Sequence, residues 1–126
     1  MQSNYGLHWP NTTRGHESLH TLFELSAKKH PENIALVCGN EQMTFKELND
    51  RADNLCHAIL NWAYYEDIIA VSSTPGIDMV VGVLAVLKSG KAFMPIDPKA
   101  KKSRNIQIVN DSAARFCITG EKEYEA

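Results

Sequence analysis

The hydrophobic pattern is densest between Met79 and Pro98, MVVGVLAVLKSGKAFMPIDP. Every position from 79 to 87 is apolar or glycine, Lys88-Ser89-Gly90 follows, and a second apolar run, Ala92 to Ile96, ends at Asp97-Pro98. A helix that is apolar on nearly every side has no face to give to water. The first run therefore predicts a helix over 77–88 lying between other layers, and Gly90 can take the left-handed conformation that ends it. The second run predicts a strand over 92–96. Upstream, Ile68-Ile69-Ala70-Val71-Ser72 reads as a buried strand. Downstream, Ser103 is placed to cap a helix through Ile106 and Val109 (103–111), and Arg115 to Thr119 reads as a further strand closed by Gly120. Strand, helix, strand, helix, strand makes two successive β-α-β crossovers, which build parallel sheet with helices on both faces. The fold class is α/β. Three strands form a short sheet, whose edges call for further strands.

The N-terminal half has a different rhythm. From Ser18 the spacing is helical, with Leu19, Leu22, Phe23 and Ala27 on one face, Lys28, Lys29 and His30 in the last turn, and Pro31 as the stop. Ile34 to Cys38, a turn at Gly39-Asn40-Glu41, and Gln42-Met43-Thr44 predict a small hairpin. Thr44-Phe45-Lys46-Glu47 fits a capping box. It opens an amphipathic helix with Phe45, Leu48, Ala52, Leu55 and Ile59 inward, and Lys46, Glu47, Asp50, Arg51 and Asp53 outward. Asn61 to Glu66 reads as irregular. Residues 1–17 are polar and aperiodic, interrupted by Gly6, Pro10 and Gly15, and read as a linker or an arm on which Trp9 is expected to pack. Residues 18–120 form the folded part and 121–126 a charged tail.

Composition narrows the functional classes. With 126 residues, 44% hydrophobic and 22% charged, the chain has material for one modest core. A formal charge of −2 supplies no field for nucleic acid, so Lys99, Lys101, Lys102 and Arg104 are read as coating a helix start or loop. Cys38, Cys56 and Cys117 are odd in number, far apart and set in apolar patterns, as reduced core cysteines would be; that points to the cytosol. The first residues lack the charged start and apolar run of a secretory leader, and Met79 to Leu87 falls short of the roughly 20 residues a membrane span needs.

Candidate chemistry is sparse. His16 and His20, four apart, lack a third ligand for a metal. Cys56 and His57 are adjacent on a helix and point about 100° apart, so they cannot form a nucleophile and base; Cys56 should pack and His57 face solvent. Asp50 and Asp53 share a polar face with no pocket implied. Trp62, Tyr64 and Tyr65 form an aromatic cluster that either covers the sheet edge or offers a contact surface. No G-x-G-x-x-G, no G-x-x-x-x-G-K-[ST] and no Ser/Thr/Gly-rich run ending in lysine is present. Ser72 to Gly76 is the nearest imitation, and it lacks the lysine. No catalytic, cofactor-binding or metal-ligating residue is assigned.

Three segments carry a resemblance: Leu19 to Glu24 with Pro31 to Val37, Met43 to Ala52, and Leu87 to Pro98. In this order and spacing the chain, over about residues 18–120, resembles the opening of an adenylate-forming enzyme, nearest to the amino-acid-activating adenylation domains of nonribosomal peptide synthetases. Met43 to Leu48 matches the family's L-T-Y-x-E-L type of motif, and Leu87 to Asp97 its L-K-A-G-x-A-Y-V-P-I-D type. Two departures are local: a usual glycine is missing from Asn61 to Tyr65, and Thr74-Pro75-Gly76 replaces a commonly charged segment.

The resemblance implies ATP-dependent activation of a carboxylate, an amino acid in preference to a fatty acid, as an adenylate for transfer to a phosphopantetheine thiol. ATP and magnesium are implied for the whole enzyme, and this stretch is expected to bind neither. In the family the phosphate loop, the metal and ribose carboxylates and the mobile lysine lie beyond the matched region. Lys88, Gly90, Pro95 and Asp97 are left with structural work. Two readings follow: an incomplete first subdomain of a ligase, partnered by the remainder of the adenylation domain or a carrier protein, or a free-standing non-catalytic interaction module. A short sheet beside an all-apolar helix also predicts marginal stability or self-association through exposed apolar surface.

Overall fold

A computed structural model of the chain describes residues 19–112 and 114–119. The arm and the tail, with Trp9, His16, Ser18 and Gly120, lie outside the described residues.

Helix α1 (Leu19–Lys29) ends on Lys28 and Lys29, cations that suit the negative end of its dipole. Strands β1 (Ile34–Cys38) and β2 (Glu41–Thr44) form the antiparallel hairpin, with Cys38 opposite Glu41 and Gly39 at φ 59° in the turn. Thr44 then caps α2 (Phe45–Trp62). The Glu47 N–H donates to Thr44 Oγ1 at 3.1 Å, and the Thr44 N–H donates to Glu47 Oε1 at 2.9 Å. The inward face is as the spacing predicts, with Leu48, Ala52, Cys56 and Ile59 buried. The helix runs further than expected, through Asn61 and Trp62. Its last turn is held because Ala63 is buried and its N–H donates to the Ile59 carbonyl at 2.7 Å.

Strand β3 (Ile68–Ser72) is the centre of a parallel sheet ordered β4-β3-β5. Its residues Ile69, Ala70 and Val71 are almost inaccessible, which is why the strand reads as a continuous apolar run. Helix α3 (Ile77–Lys88) and α2 cover the face of Ile69 and Val71, where Cys56, Ile59, Ala63, Ala85 and Val86 complete the core. A Cβ on Gly82 would stand 3.3 Å from Val71 Cγ1, so the missing side chain sets how closely α3 approaches the sheet. At the end of α3, Gly90 adopts φ 81°, the left-handed stop expected of it.

Strand β4 (Ala92–Ile96) tolerates Pro95 because it lies at the sheet edge, where a missing donor costs no ladder bond on the open side. Helix α4 (Lys102–Ser112) covers the opposite face, packing Val109 toward Ala70, Ile96 and Ala114. Ser103 does not cap it. The helix starts one residue earlier, and the N–H groups of Arg104 and Asn105 donate to the Lys101 carbonyl. Strand β5 (Cys117–Thr119) is shorter than the predicted 115–119 because only Ala70, Val71 and Ser72 have partners in it. Cys117 lies exposed there, unlike the core cysteine its apolar neighbours suggested. The two-faced α/β sandwich and separate hairpin are as expected.

Candidate functional site

In an open parallel sheet, a ligand crevice forms at the carboxyl ends of neighbouring strands whose outgoing connections leave to opposite faces. Here β3 leads to α3 on one face and its neighbour β4 leads to α4 on the other. Between them opens a cavity of about 380 Å³, lined by Ser73, Pro75 and Met79 on one side and by Pro95, Ile96, Asp97, Arg104 and Asn105 on the other. That volume lies in the range of roughly 300–1,000 Å³ found for small-molecule sites.

Asp97 organises one wall. Its Oδ1 accepts from the Lys99 N–H at 2.9 Å, and its carbonyl accepts from the Ala100 N–H at 3.0 Å and from Asn105 Nδ2 at 2.9 Å. The Asp-Pro turn read from the sequence thereby ties the end of β4 to the start of α4. Asn105 Oδ1, by contrast, is buried and has no hydrogen-bond partner among the described residues. Arg104, Lys99, Lys101 and Lys102 are all exposed around the helix start, as expected. Ser73 Oγ donates to the Thr74 carbonyl at 3.0 Å, which commits that hydroxyl to its own loop.

The cation on the crevice lining is Arg104. The crevice contains no nucleophile beside a base. Nor do the described residues fit ATP and magnesium: the Ser72 to Gly76 loop carries no lysine, and among the described residues no group of three His, Cys, Asp or Glu could hold a metal ion. A second, open groove of about 810 Å³ lies between the hairpin turn and the start of α3, where Arg51 Nη2 meets Asp78 Oδ1 at 3.2 Å.

The other residues singled out in the sequence fall apart as sites. Cys56 is buried and His57 exposed, so they do not pair. Burial pushes the Cys56 thiol up, with the nearby Lys88 charge only partly opposing it; this disfavours the thiolate a nucleophile needs. Asp50 binds Lys46 at 2.9 Å, and Asp53 binds Lys88 at 2.9 Å, so the two carboxylates are spent separately. Trp62, Tyr64 and Tyr65 are 77%, 63% and 90% exposed; Tyr64 meets Tyr65 edge-on at 5.1 Å and carries the Lys91 ammonium 5.8 Å from its ring centroid.

Sequence reasoning missed the role of Lys88. Its side chain is 3% exposed, and its ammonium is held by Glu24 of α1 and Asp53 of α2. Burial alone would lower its pKa, but the two carboxylates outweigh it and hold the ammonium above its ordinary range. Asp53, placed on the solvated face from its spacing, instead closes this junction. The available signal was a lysine ending a helix with no polar face of its own.

An open parallel sheet with helices on both faces, a separate hairpin and a crevice at the strand switch point define an open-sheet α/β architecture. The family is narrower: the AMP-binding enzyme model matches residues 23–126, and the chain belongs to that family. It is 42% identical over 107 residues to malpibaldin synthetase of Mortierella alpina, an overlap covering 84% of this chain and 2% of that protein. Among solved structures, the N-terminal subdomain of NpsA from Klebsiella oxytoca superposes with a TM-score of 0.75 at 19% identity, over 83% of this chain and 28% of that one. The nonribosomal peptide synthetase FmoA3, bound to alpha-methyl-L-serine-AMP, superposes with a TM-score of 0.79 at 22% identity, over 82% of this chain and 12% of that one. The overlap is 10% of the length of gramicidin S synthase 1 of Brevibacillus brevis and 1% of that of malpinin synthetase of Mortierella alpina.

Proposed function

We propose that this chain supplies the first part of an adenylation domain that activates an amino acid. The overall reaction would join the carboxylate to the α-phosphate of ATP with release of pyrophosphate, then pass the acyl group to a phosphopantetheine thiol with release of AMP. Residues 18–120 act in it as scaffold and carry no catalytic residue. The observation supporting this reading is the family match over residues 23–126. The amino-acid adenylate bound to FmoA3 supports an amino acid as substrate.

The scaffold's partners in this reading are the remainder of the adenylation domain and a carrier protein, and its compartment is the reducing cytosol, consistent with three free cysteines. Among the described residues no helix is long and apolar enough to cross a membrane. The test is a chimera in which residues 19–119 replace the corresponding segment of a structurally similar adenylation domain. Retained amino-acid-dependent ATP–pyrophosphate exchange is expected. A soluble, folded chimera without exchange would overturn the scaffold reading.

A further inference from the structure

The two ends of the parallel sheet carry opposite chemistry. Where the strands begin, the turn between α2 and β3 meets the turn between α3 and β4, and the Ala92 N–H donates to the Asp67 carbonyl at 2.9 Å. Trp62 and Tyr65 are largely exposed there, followed in the chain by half-buried Glu66 and exposed Asp67. Tyr64 already holds a cation. The Lys91 ammonium over its ring donates to the carbonyls of Tyr64 and Glu66, each at 2.7 Å. This end of the sheet therefore accepts an ammonium on a ring and on carbonyls, and the rings of Trp62 and Tyr65 are open to further ones. The last turn of α2 has no basic residue, so the carbonyl end of the helix adds negative potential.

At the far end, where β4 finishes, Lys99, Lys101, Lys102 and Arg104 are exposed around the start of α4, whose first turn holds no acidic residue. The positive end of that helix adds to their field. Neither these four cations nor Glu66 and Asp67 enter an ion pair among the described residues. The two groups do not meet within one chain, because the five-residue strands β3 and β4, about 16 Å long, separate them.

Each end of one molecule thus complements the other end of a second. We propose that a second copy of this chain docks head to tail, with the basic start of α4 in one copy laid on Trp62, Tyr65 and the neighbouring carboxylates of the next. Lysine and arginine gain ring faces and opposite charge there, and exposed Trp and Tyr are the side chains that most often anchor an interface. The contact is heterologous, so copies add in series unless the rotation closes a ring. It goes beyond adenylation and does not depend on it.

Sedimentation velocity of the full chain over a concentration series tests this at about 20 mM and about 500 mM salt, where the Debye length is roughly 20 Å and roughly 4 Å. The sedimentation coefficient should rise with concentration at low salt, with association at least about ten-fold weaker at high salt. Trp62→Ser/Tyr65→Ser and Lys101→Glu/Lys102→Glu change only exposed side chains. Each should sediment as a monomer with an unchanged far-UV circular dichroism signal. Mixed in equal amounts, the two variants should form a one-to-one dimer and stop there, because each supplies the end that the other lacks. A chain that stays monomeric at low salt overturns the proposal. So does association that either variant retains, or that high salt strengthens, because apolar surface then drives it. A mixture of the variants that stays monomeric also overturns it, since the two ends then do not meet.

Discussion

Lys88 is where three helices meet, and its removal should cost less than removal of the carboxylates it binds. In Lys88→Met the apolar stem is kept and the buried ammonium goes. The two acids left behind are 44% and 49% exposed, so each can turn to water. The full 3–5 kcal/mol of a broken buried pair therefore does not apply, and about 1–2 kcal/mol is expected after discounting for solvent screening. In Glu24→Gln/Asp53→Asn the charge left behind is the ammonium, on a side chain that is only 3% exposed. That double variant should lose about 3 kcal/mol or more. Adding Lys88→Met to it should restore much of the loss, since an uncompensated charge is then exchanged for an apolar side chain.

Urea unfolding followed by far-UV circular dichroism measures all four chains. Recovery in the triple variant is the decisive sign. If the triple variant is less stable than the double, or if the double costs less than Lys88→Met alone, the burial of Lys88 does not have the energetic meaning given to it. The pH dependence has a definite sign. Because the folded-state pKa is raised, the contribution is complete below the ordinary value of 10.5 and is lost as pH climbs through the higher folded value.

Three further substitutions test local claims. Gly82→Ala places a Cβ 3.3 Å from Val71 Cγ1, so a gain in helix propensity of about 1 kcal/mol is offset by crowding and the net change is near zero; Gly82→Val should cost about 2–3 kcal/mol in the same urea assay. Gly90→Ala should lose about 1–2 kcal/mol through backbone strain alone at φ 81°, because no heavy atom lies within 4 Å of the new Cβ; Gly90→Asn should lose less. Thr44→Ala removes the acceptor that Glu47 N–H uses and should cost about 1 kcal/mol, with Thr44→Ser recovering most of it in thermal unfolding.

The sheet was legible because its signals are local. An apolar run bounded by Asp67 and Ser73 has only one comfortable environment, and Ile68–Ser72 is found as the central strand. The capping box and the Gly90 stop depend on neighbours a few residues apart, and both are present. What failed depended on distant partners. Asp53 and Lys88 are 35 positions apart, and nothing in the local spacing of either indicates that α1 and α2 converge on the end of α3. Cys117 looked like a core residue because its neighbours are apolar, but β5 has a paired strand on one side only. The crevice at the ends of β3 and β4 was invisible for the same reason: it exists only once the crossovers place α3 and α4 on opposite faces. The absence of a lysine-bearing phosphate loop, by contrast, is a statement about sequence, and the resemblance to adenylation domains rested on motifs that turn out to be a cap and a helix-glycine-strand joint.

In the proposed function these 126 residues provide scaffold and not the nucleotide site. Titration of the purified chain with ATP and magnesium in a calorimeter tests it most directly. The account predicts no saturable heat up to millimolar nucleotide. Saturable one-to-one binding, abolished by substitutions in the Ser72 to Gly76 loop, would contradict it and would make that loop a phosphate site.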